Sequence, residues 1–388
     1  MSPLQPPGVI LLIPSAREFD RGLRRGIVDY ANTHGPWIFY DEAPGYLRTL
    51  TPRQRLKSMR EWNAAGAVVL QSRLPEVARL RLSVVVAVET RRLAPTVAQV
   101  FGANLETGRM GAEALLALGL RHFAFCGLQG LEFSDNRCLG FVEALRERGY
   151  SADIYTPPSK DPLRSWYEER KHLARWLMAL PTPVGLMACN DDRARMAMEI
   201  CRANGIRIPD DIAVLGVDND EQVCRTANPP LSSIAIGTEK AGYEAAALLD
   251  TMMKSGRSRP AQAIRVMPLH VVSRRSTDIL AVDDPALIRA LRLIREGTGM
   301  NLRVSDLLAA AGLSRRTLQD RFRQYLSRSP LEEIHRCRAE QIARLLVDTN
   351  MSIGTIATAV GFESEAHLAR FFSRRKGLTP LAFRRKAR

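Results

Sequence analysis

The sequence predicts a two-lobed α/β core, its parallel sheets covered by helices on both faces, followed by an all-α domain with two helix-turn-helix motifs. Three observations predict it. Short apolar runs alternate with amphipathic runs through roughly the first 280 residues, and a β-α-β-α order with short loops builds parallel strands joined by helices. That alternation runs through two similar halves. Near the end of the chain, two stretches share the order apolar helix, Gly, apolar residue, Ser, second helix, with Gly312 and Gly361 separated by 49 positions.

Residues 1–7 read as a Pro-containing leader, and residues 9–13 are apolar enough for a buried strand. In residues 21–34, Leu23, Ile27, Val28 and Ala31 fall on one face of a helix. Strands follow at 37–40, 67–70 and 84–88, with a helix at 52–65. In the second half, helices at 106–118, 136–148, 165–179 and 193–204 alternate with strands at 123–126, 153–155, 184–188 and 212–217. After Pro229-Pro230 come a strand at 232–236, a helix at 239–254 and a strand at 264–272. Two such halves form two lobes, and ligands of open parallel sheets sit at the carboxyl ends of the strands. Residues 278–285 read as the linker, with Val282-Asp283-Asp284-Pro285 capping a helix at 286–296.

Gly312 and Gly361 suit the positive-φ bend that ends the first helix of each motif. Ser314 and Ser364 then cap the second. In 314–325, Leu318, Phe322 and Tyr325 face the core, leaving Arg316, Gln319, Asp320 and Arg323 outward. In 364–376, Leu368, Phe371 and Phe372 face inward, leaving Glu365, Ala366, Ala369 and Arg370 outward. A recognition helix presents such residues to base edges, where Arg pairs with guanine and Gln with adenine through two bonds. Thr317, Arg374, Arg375 and Lys376 suit phosphate contacts, and Arg315 joins the DNA-facing set. A helix at 331–347 spaces the two readers for adjacent major grooves, roughly 34 Å apart.

The net charge is +15. Residues 283–388 hold 20 Lys and Arg against 11 Asp and Glu, so nine of the fifteen excess charges lie in the tail. That distribution calls for a polyanionic partner. Cys126, Cys138, Cys189, Cys201, Cys224 and Cys337 form no Cys-x-x-Cys pair and no cluster with His. Neither a disulfide framework nor a metal site is expected, and the usage fits a reducing cytoplasm. The apolar run at 9–13 is too short for a signal sequence or a membrane span. The core lacks a Walker loop, Gly-x-Ser-x-Gly and His-Glu-x-x-His, so the expectation is no enzyme and no cofactor.

The tandem motif, with Gly361-Phe362-Glu363-Ser364 and Phe371-Phe372-Ser373-Arg374-Arg375-Lys376-Gly377-Leu378-Thr379-Pro380-Leu381-Ala382-Phe383-Arg384, resembles the DNA-binding domain of AraC-type transcription regulators over about residues 284–386. The core resembles the sugar-binding part of LacI-type repressors and the periplasmic sugar-binding proteins. Carrying that likeness are the stretch from Leu115 to Gly127, Arg137 with Gly140-Phe141, Asn190-Asp191, Gly216-Val217-Asp218-Asn219, Pro229 to Ile234, and Val272 to Thr277. One departure is Ala103-Asn104, where that family usually has Asp-Asn. Another is the place and type of the DNA-binding part, which here follows the core. This order, together with Phe19-Asp20-Arg21 and Asp192-Arg193-Ala194-Arg195, is similar to the bacterial regulators of xylose operons.

The resemblance implies a receptor domain over 1–278 and a DNA-binding domain over 279–388. Sugar hydroxyls both donate and accept, so carboxylates, Asn and Arg suit them, with an aromatic face on the ring. Asp218, Asp191, Asn190 and Arg137 are the expected cleft residues, with Asp20, Arg21, Glu89 and Phe19 as partners from the first lobe. The expected function is a cytoplasmic, sugar-responsive regulator, an activator of a pentose operon with xylose favoured by the resemblance alone. Its expected partners are double-stranded DNA, a small sugar, a second copy of the chain, and RNA polymerase, with no membrane. Alternatives are a repressor answering another ligand and a solute receptor whose basic tail binds protein. Some DNA-repair proteins join an AraC-type domain to a methyl-accepting cysteine on zinc, and the scattered cysteines argue against that class.

Overall fold

The computed structural model describes residues 6–41, 51–62, 64–157, 166–255, 263–279, 284–296, 302–326, 328–349 and 351–387. Leader residues 1–5, Ser165, and linker residues 280–283, including Val282 and Asp283, lie outside them. The chain divides into two compact units, Met1–Ile279 and Leu280–Arg388.

The first unit holds twelve strands among the described residues. They are β1 Gly8–Leu12, β2 Ile38–Tyr40, β3 Gly66–Leu70, β4 Ser83–Ala87, β5 Gln99–Gly102, β6 His122–Cys126, β7 Asp153–Ile154, β8 Val184–Ala188, β9 Ile212–Val217, β10 Ser232–Ile236, β11 Ala263–Val266 and β12 Pro268–Val272. One sheet runs β11-β5-β4-β3-β1-β2 and the other β12-β10-β9-β8-β6-β7. Pairing is parallel throughout except between β10 and β12. The central strands are apolar on both faces because helices cover both. Val9, Ile10, Val85, Val86, Val184, Leu186 and Val214 are fully buried.

The chain passes between the lobes at Ala103, Gly237 and Met267. Backbone bonds lace these passages together: Ala103 N donates to Val266 O at 2.9 Å, and Gly237 N to Met267 O at 2.9 Å. The single strand expected at 264–272 is therefore two, one in each sheet. Met267 lies between them and gives its carbonyl to Gly237 rather than to a strand ladder. Strand β5 went unread because Gln99 opens it and only Val100 and Phe101 are apolar.

In the second lobe, helices Asn104–Leu116 and Glu132–Arg146 pack through glycines. A Cβ on Gly108 would fall 2.0 Å from Arg137 O, and one on Gly140 2.0 Å from Leu105 O. Only Gly permits that approach, and it seats the helix that carries Arg137.

The second unit holds helices Pro285–Glu296, Val304–Ala311, Arg315–Leu326, Pro330–Asp348, Ile353–Ala359, Glu365–Lys376 and Pro380–Ala387. They build two separate cores. Leu287, Leu291, Leu307, Leu318, Phe322 and Ile334 fill one. Ile342, Leu346, Ile356, Val360, Leu368 and Phe372 fill the other. The helix Pro330–Asp348, started by a capping box between Ser329 and Glu332, gives Ile334 to the first core and Ile342 and Leu346 to the second. At roughly 1.5 Å per residue it extends about 28 Å, so one rigid rod joins the motifs. Tyr325, expected inside, is 42% exposed. The core of its motif is already filled by Phe322 one turn earlier and Leu318 two turns earlier.

Candidate ligand cleft and nucleic-acid interface

Apart from β12, the strands of each sheet run parallel, so their carboxyl ends share one edge, and the loops leaving them line a cavity of about 730 Å³. Leu70 ends β3, while Val88, Glu89 and Thr90 follow β4. Phe101 and Gly102 end β5, and Phe19 and Asp20 open the helix after β1. From the second lobe, Asn190 follows β8 and Asp218 follows β9, with Asn104, Glu132, Phe133 and Arg137 on two helices and Arg92 reaching in from the first lobe. Three aromatic rings, two guanidiniums, two amides and four carboxyl groups thus converge.

Arg137 is 4% exposed. Its Nε donates to Asn104 Oδ1 at 3.1 Å, and its Nη1 donates to the Cys189 carbonyl. Its Nη2 lies 3.5 Å from Asp218 Oδ1, near enough for charge attraction but without the alignment of a hydrogen bond. Asp218 therefore presents a buried acceptor that faces the Arg137 charge but takes no hydrogen bond. Its backbone φ is +102°, strained for a side chain with a Cβ. Burial pushes its carboxyl up to about 6 despite the Arg137 charge. Asp20 is likewise pushed up to about 6, first by burial and then by the nearby charges of Glu89 and Asp218. Carboxylates held short of comfortable ionisation are ready acceptors for incoming hydroxyl donors.

Two sets of bonds cross the cleft. Arg92 N donates to Glu132 Oε2 at 2.7 Å, and Glu132 N to Thr90 O at 2.9 Å. On the other side, Glu18 N donates to Asp220 Oδ2 at 3.0 Å, and Arg21 Nη2 pairs with Asp220 Oδ1 at 2.9 Å. The first amides of two helices are thus satisfied by acceptors from the opposite lobe.

Phe19, Asp20, Glu89, Arg137, Asn190 and Asp218 line the cavity. Arg21 and Asp191 do not. Arg21 belongs to the seam with Asp220. Asp191 is 2% exposed and lies behind the cleft wall, where Ser233 Oγ donates to its Oδ1 at 2.5 Å and Asp220 N to its Oδ2 at 2.7 Å. Burial pushes its carboxyl well up, and those bonds hold it as a strut. Ala103, the departure from the family pattern, acts through its backbone, while Asn104 beside it lines the cavity. Glu132 and Phe133 escaped the sequence reading because their helix starts four residues before the expected 136. Phe133 lies one turn before Arg137, and Arg137 sits 5.4 Å over its ring; that i, i+4 spacing was the available signal.

In the second unit, Gly312 and Gly361 have φ of +68° and +72°. Thr317 N donates to Ser314 Oγ at 3.2 Å, and His367 N to Ser364 Oγ at 3.2 Å. Arg315, Arg316, Gln319, Asp320 and Arg323 are exposed on the first recognition helix, with Thr317 half-buried. Glu365, Ala366, Arg370, Arg374, Arg375 and Lys376 are exposed on the second, with Ala369 half-buried. Arg375 Nη2 donates to His335 Nδ1 at 2.8 Å, and burial with the Arg375 and Arg338 charges holds that imidazole below its usual range. Each bend is clamped by an arginine from the preceding helix. Arg289 donates to Ala310 O at 3.0 Å and Ala311 O at 2.9 Å. Arg338 donates to Val360 O at 2.6 Å and Gly361 O at 2.7 Å. Each clamp precedes its Gly by 23 residues.

Residues 112–277 match the periplasmic binding protein-like domain family, and residues 307–386 match a helix-turn-helix domain family. The chain is 28% identical over 387 residues to the xylose operon regulatory protein of Escherichia coli K12, covering 97% of this chain and 96% of that one. It is 31% identical over 284 residues to the protein of the same description from Haemophilus influenzae, covering 72% of this chain and 73% of that one. Its structure resembles that of a xylose-binding transcription activator with a TM-score of 0.71 and 26% identity, over 99% of each chain.

Proposed function

The chain belongs to the family of the xylose operon regulatory proteins, which join a sugar-receptor core to an AraC-type helix-turn-helix tail, and we propose that its own effector is a pentose, xylose. The observation that carries this reading is the buried Oδ1 of Asp218, which takes no hydrogen bond, in a cavity also lined by Asp20, Glu89, Asn190 and Arg137. A ring of vicinal hydroxyls donates to the carboxylates and accepts from Arg137 and Asn190, while Phe19, Phe101 or Phe133 covers its apolar face.

A sugar in that place touches both lobes, Asp20 and Glu89 from one and Asn190, Arg137 and Asp218 from the other. It therefore favours the arrangement in which the lobes are close, and acts on DNA only through its different affinity for the two arrangements. The reading extends to a cytoplasmic homodimer that activates transcription through RNA polymerase. No helix among the described residues is long and apolar enough to cross a membrane. Calorimetry with xylose, arabinose, ribose and glucose tests the effector, and a mobility-shift titration of promoter DNA with and without the bound sugar tests the response. Binding of a hexose but no pentose overturns the pentose assignment. Unchanged DNA affinity under saturating sugar overturns the coupling.

A further inference from the structure

We infer that the first lobe carries a second polyanion-binding surface, a basic groove that holds the phosphate backbone of duplex DNA. This rests on the DNA-binding reading above. Residues 51–82 contain seven Lys and Arg against two Asp and Glu. Residues 1–282 as a whole contain 36 against 30, so five of their six excess charges lie in that short stretch. Helix Pro52–Glu61 and the turns at 74–80 bring four of them, Arg53, Lys57, Arg60 and Arg79, together around one open groove.

Arg53, Lys57 and Arg60 stand at i, i+4 and i+7 on one exposed face of the helix. The row is about 10 Å long at 1.5 Å per residue, near three base-pair rises of about 3.4 Å. Arg79 faces the same groove. Its carboxylate, Glu76, is engaged by Arg73 at 2.6 Å and Arg55 at 3.4 Å. Lys57 has only a solvent-exposed Glu61 at 3.7 Å. Among the described residues, no carboxylate pairs with Arg53, Arg60 or Arg79. Like charges one turn apart weaken a helix, so the row is a cost to folding that an anionic partner relieves. Protein interfaces centre on apolar and aromatic anchors and are poor in Lys; this groove offers only Leu56 and Pro75. Phosphates need no more than the charges.

The test is full-length protein titrated with a 60-base-pair duplex of random sequence across a salt series. Wild type is compared with the quadruple variant Arg53→Gln, Lys57→Gln, Arg60→Gln, Arg79→Gln. A charge-matched control carries Arg121→Gln, Arg146→Gln, Arg148→Gln and Arg202→Gln, all exposed on the second lobe. The expected slope of log K against log salt becomes shallower by up to about 3.6 in the groove variant, roughly 0.9 per phosphate contact. Affinity at low salt falls at least about tenfold, and the control keeps the wild-type slope. Each single substitution gives one increment of about 0.9 should the quadruple variant fold poorly. Identical slopes for wild type and groove variant overturn the inference and leave the groove to an acidic protein surface. An equal loss in the control also overturns it, as an effect of net charge alone. Failure of wild type to bind any duplex overturns the DNA-binding reading instead.

Discussion

Replacing Asp218 by Asn should weaken sugar binding while stabilising the sugar-free protein. The substitution keeps the shape of the side chain and tolerates the left-handed backbone at φ +102°, since Asn is one of the residues that visit that region. The folded-state pKa of Asp218 is raised to about 6, against an unfolded value near 3.9. Stability held by its protonated form is complete below about pH 4 and is lost as pH rises through about 6. Roughly two units at about 1.36 kcal/mol each make the ionised carboxylate a cost of up to about 3 kcal/mol at pH 7.5. The attraction of Arg137 is already contained in that balance, because the raised value is the net of burial against the guanidinium. The neutral amide escapes the cost, and Arg137 keeps its bonds to Asn104 and Cys189.

Sugar binding goes the other way. A hydroxyl donating to the free Oδ1 forms a charge-assisted bond worth about 1.5–3 kcal/mol, which an amide reproduces only in part. Xylose affinity should fall on the order of tenfold to a hundredfold. The assays are thermal unfolding of both proteins from pH 4.5 to 8 and calorimetry at pH 7.5. The gap in Tm between variant and wild type should open as pH rises through 6. A gap that is constant with pH refutes the assignment of a strained, ionisable carboxylate, and unchanged xylose affinity refutes its role as acceptor.

The other predictions concern affinity, folding and reading. Because Asp20 and Asp218 are both near 6 and hydroxyl donors favour their charged forms, sugar affinity should fall below pH 6 with proton release on binding; affinity flat from pH 5 to 7.5 would contradict this. A fragment from 283 to 388 should fold by circular dichroism and bind DNA with a steep salt dependence, since both of its cores are internal. Arg316→Ala and Arg370→Ala should each relax preference at one or two base pairs, costing roughly 1–3 kcal/mol, with sugar affinity unchanged. Arg289→Met should erase footprint protection under the first motif and Arg338→Met under the second; uniform loss of protection would mean the clamps act on the whole domain.

The strand-end carboxylates were legible because parallel-sheet geometry puts strand ends at one edge, whatever the details of the loops. Besides a start at 191 rather than 193, three helix starts escaped that lack a local cap: 18 rather than 21, 104 rather than 106, and 132 rather than 136. Their N-cap residues are Arg17, Ala103 and Leu131, none of which makes a side-chain capping bond. Sequence rules place helix starts by Ser, Thr, Asp or Asn acting locally. Here Asp220 takes the amide of Glu18 and Thr90 takes that of Glu132, each from the opposite lobe. The cap exists only in the folded, two-lobed arrangement, so no local pattern announces it. Opening the lobes would strip both caps, which ties helix ends lining the cleft to the distance between the lobes.

The tail raises the same point in reverse, because its repeat was visible and its clamp was not. Arg289 and Arg338 are separated by 49 residues, as are Gly312 and Gly361, whereas Ser314 and Ser364 are separated by 50. The clamp and the bend therefore repeat in register, and the extra residue falls between Gly361 and Ser364, where Phe362-Glu363 replaces the single Leu313. Phe362 is buried under the Arg338 guanidinium, 4.0 Å from its ring. The second bend is thus longer but held by a stacked pair, and its recognition helix begins one residue later after the same clamp. The extra residue does not turn the reader: Leu318 and Leu368 both lie four residues after their capping serine, Phe322 and Phe372 both eight, and all four are buried. The two recognition helices therefore present the same face with different chemistry, Arg316, Gln319 and Arg323 on one against Ala366, Ala369 and Ser373 at the matching positions of the other. Deleting Glu363 should unseat Phe362 from the Arg338 guanidinium and weaken footprint protection under that motif alone. Unchanged protection would mean that helix packing rather than the bend seats the second reader.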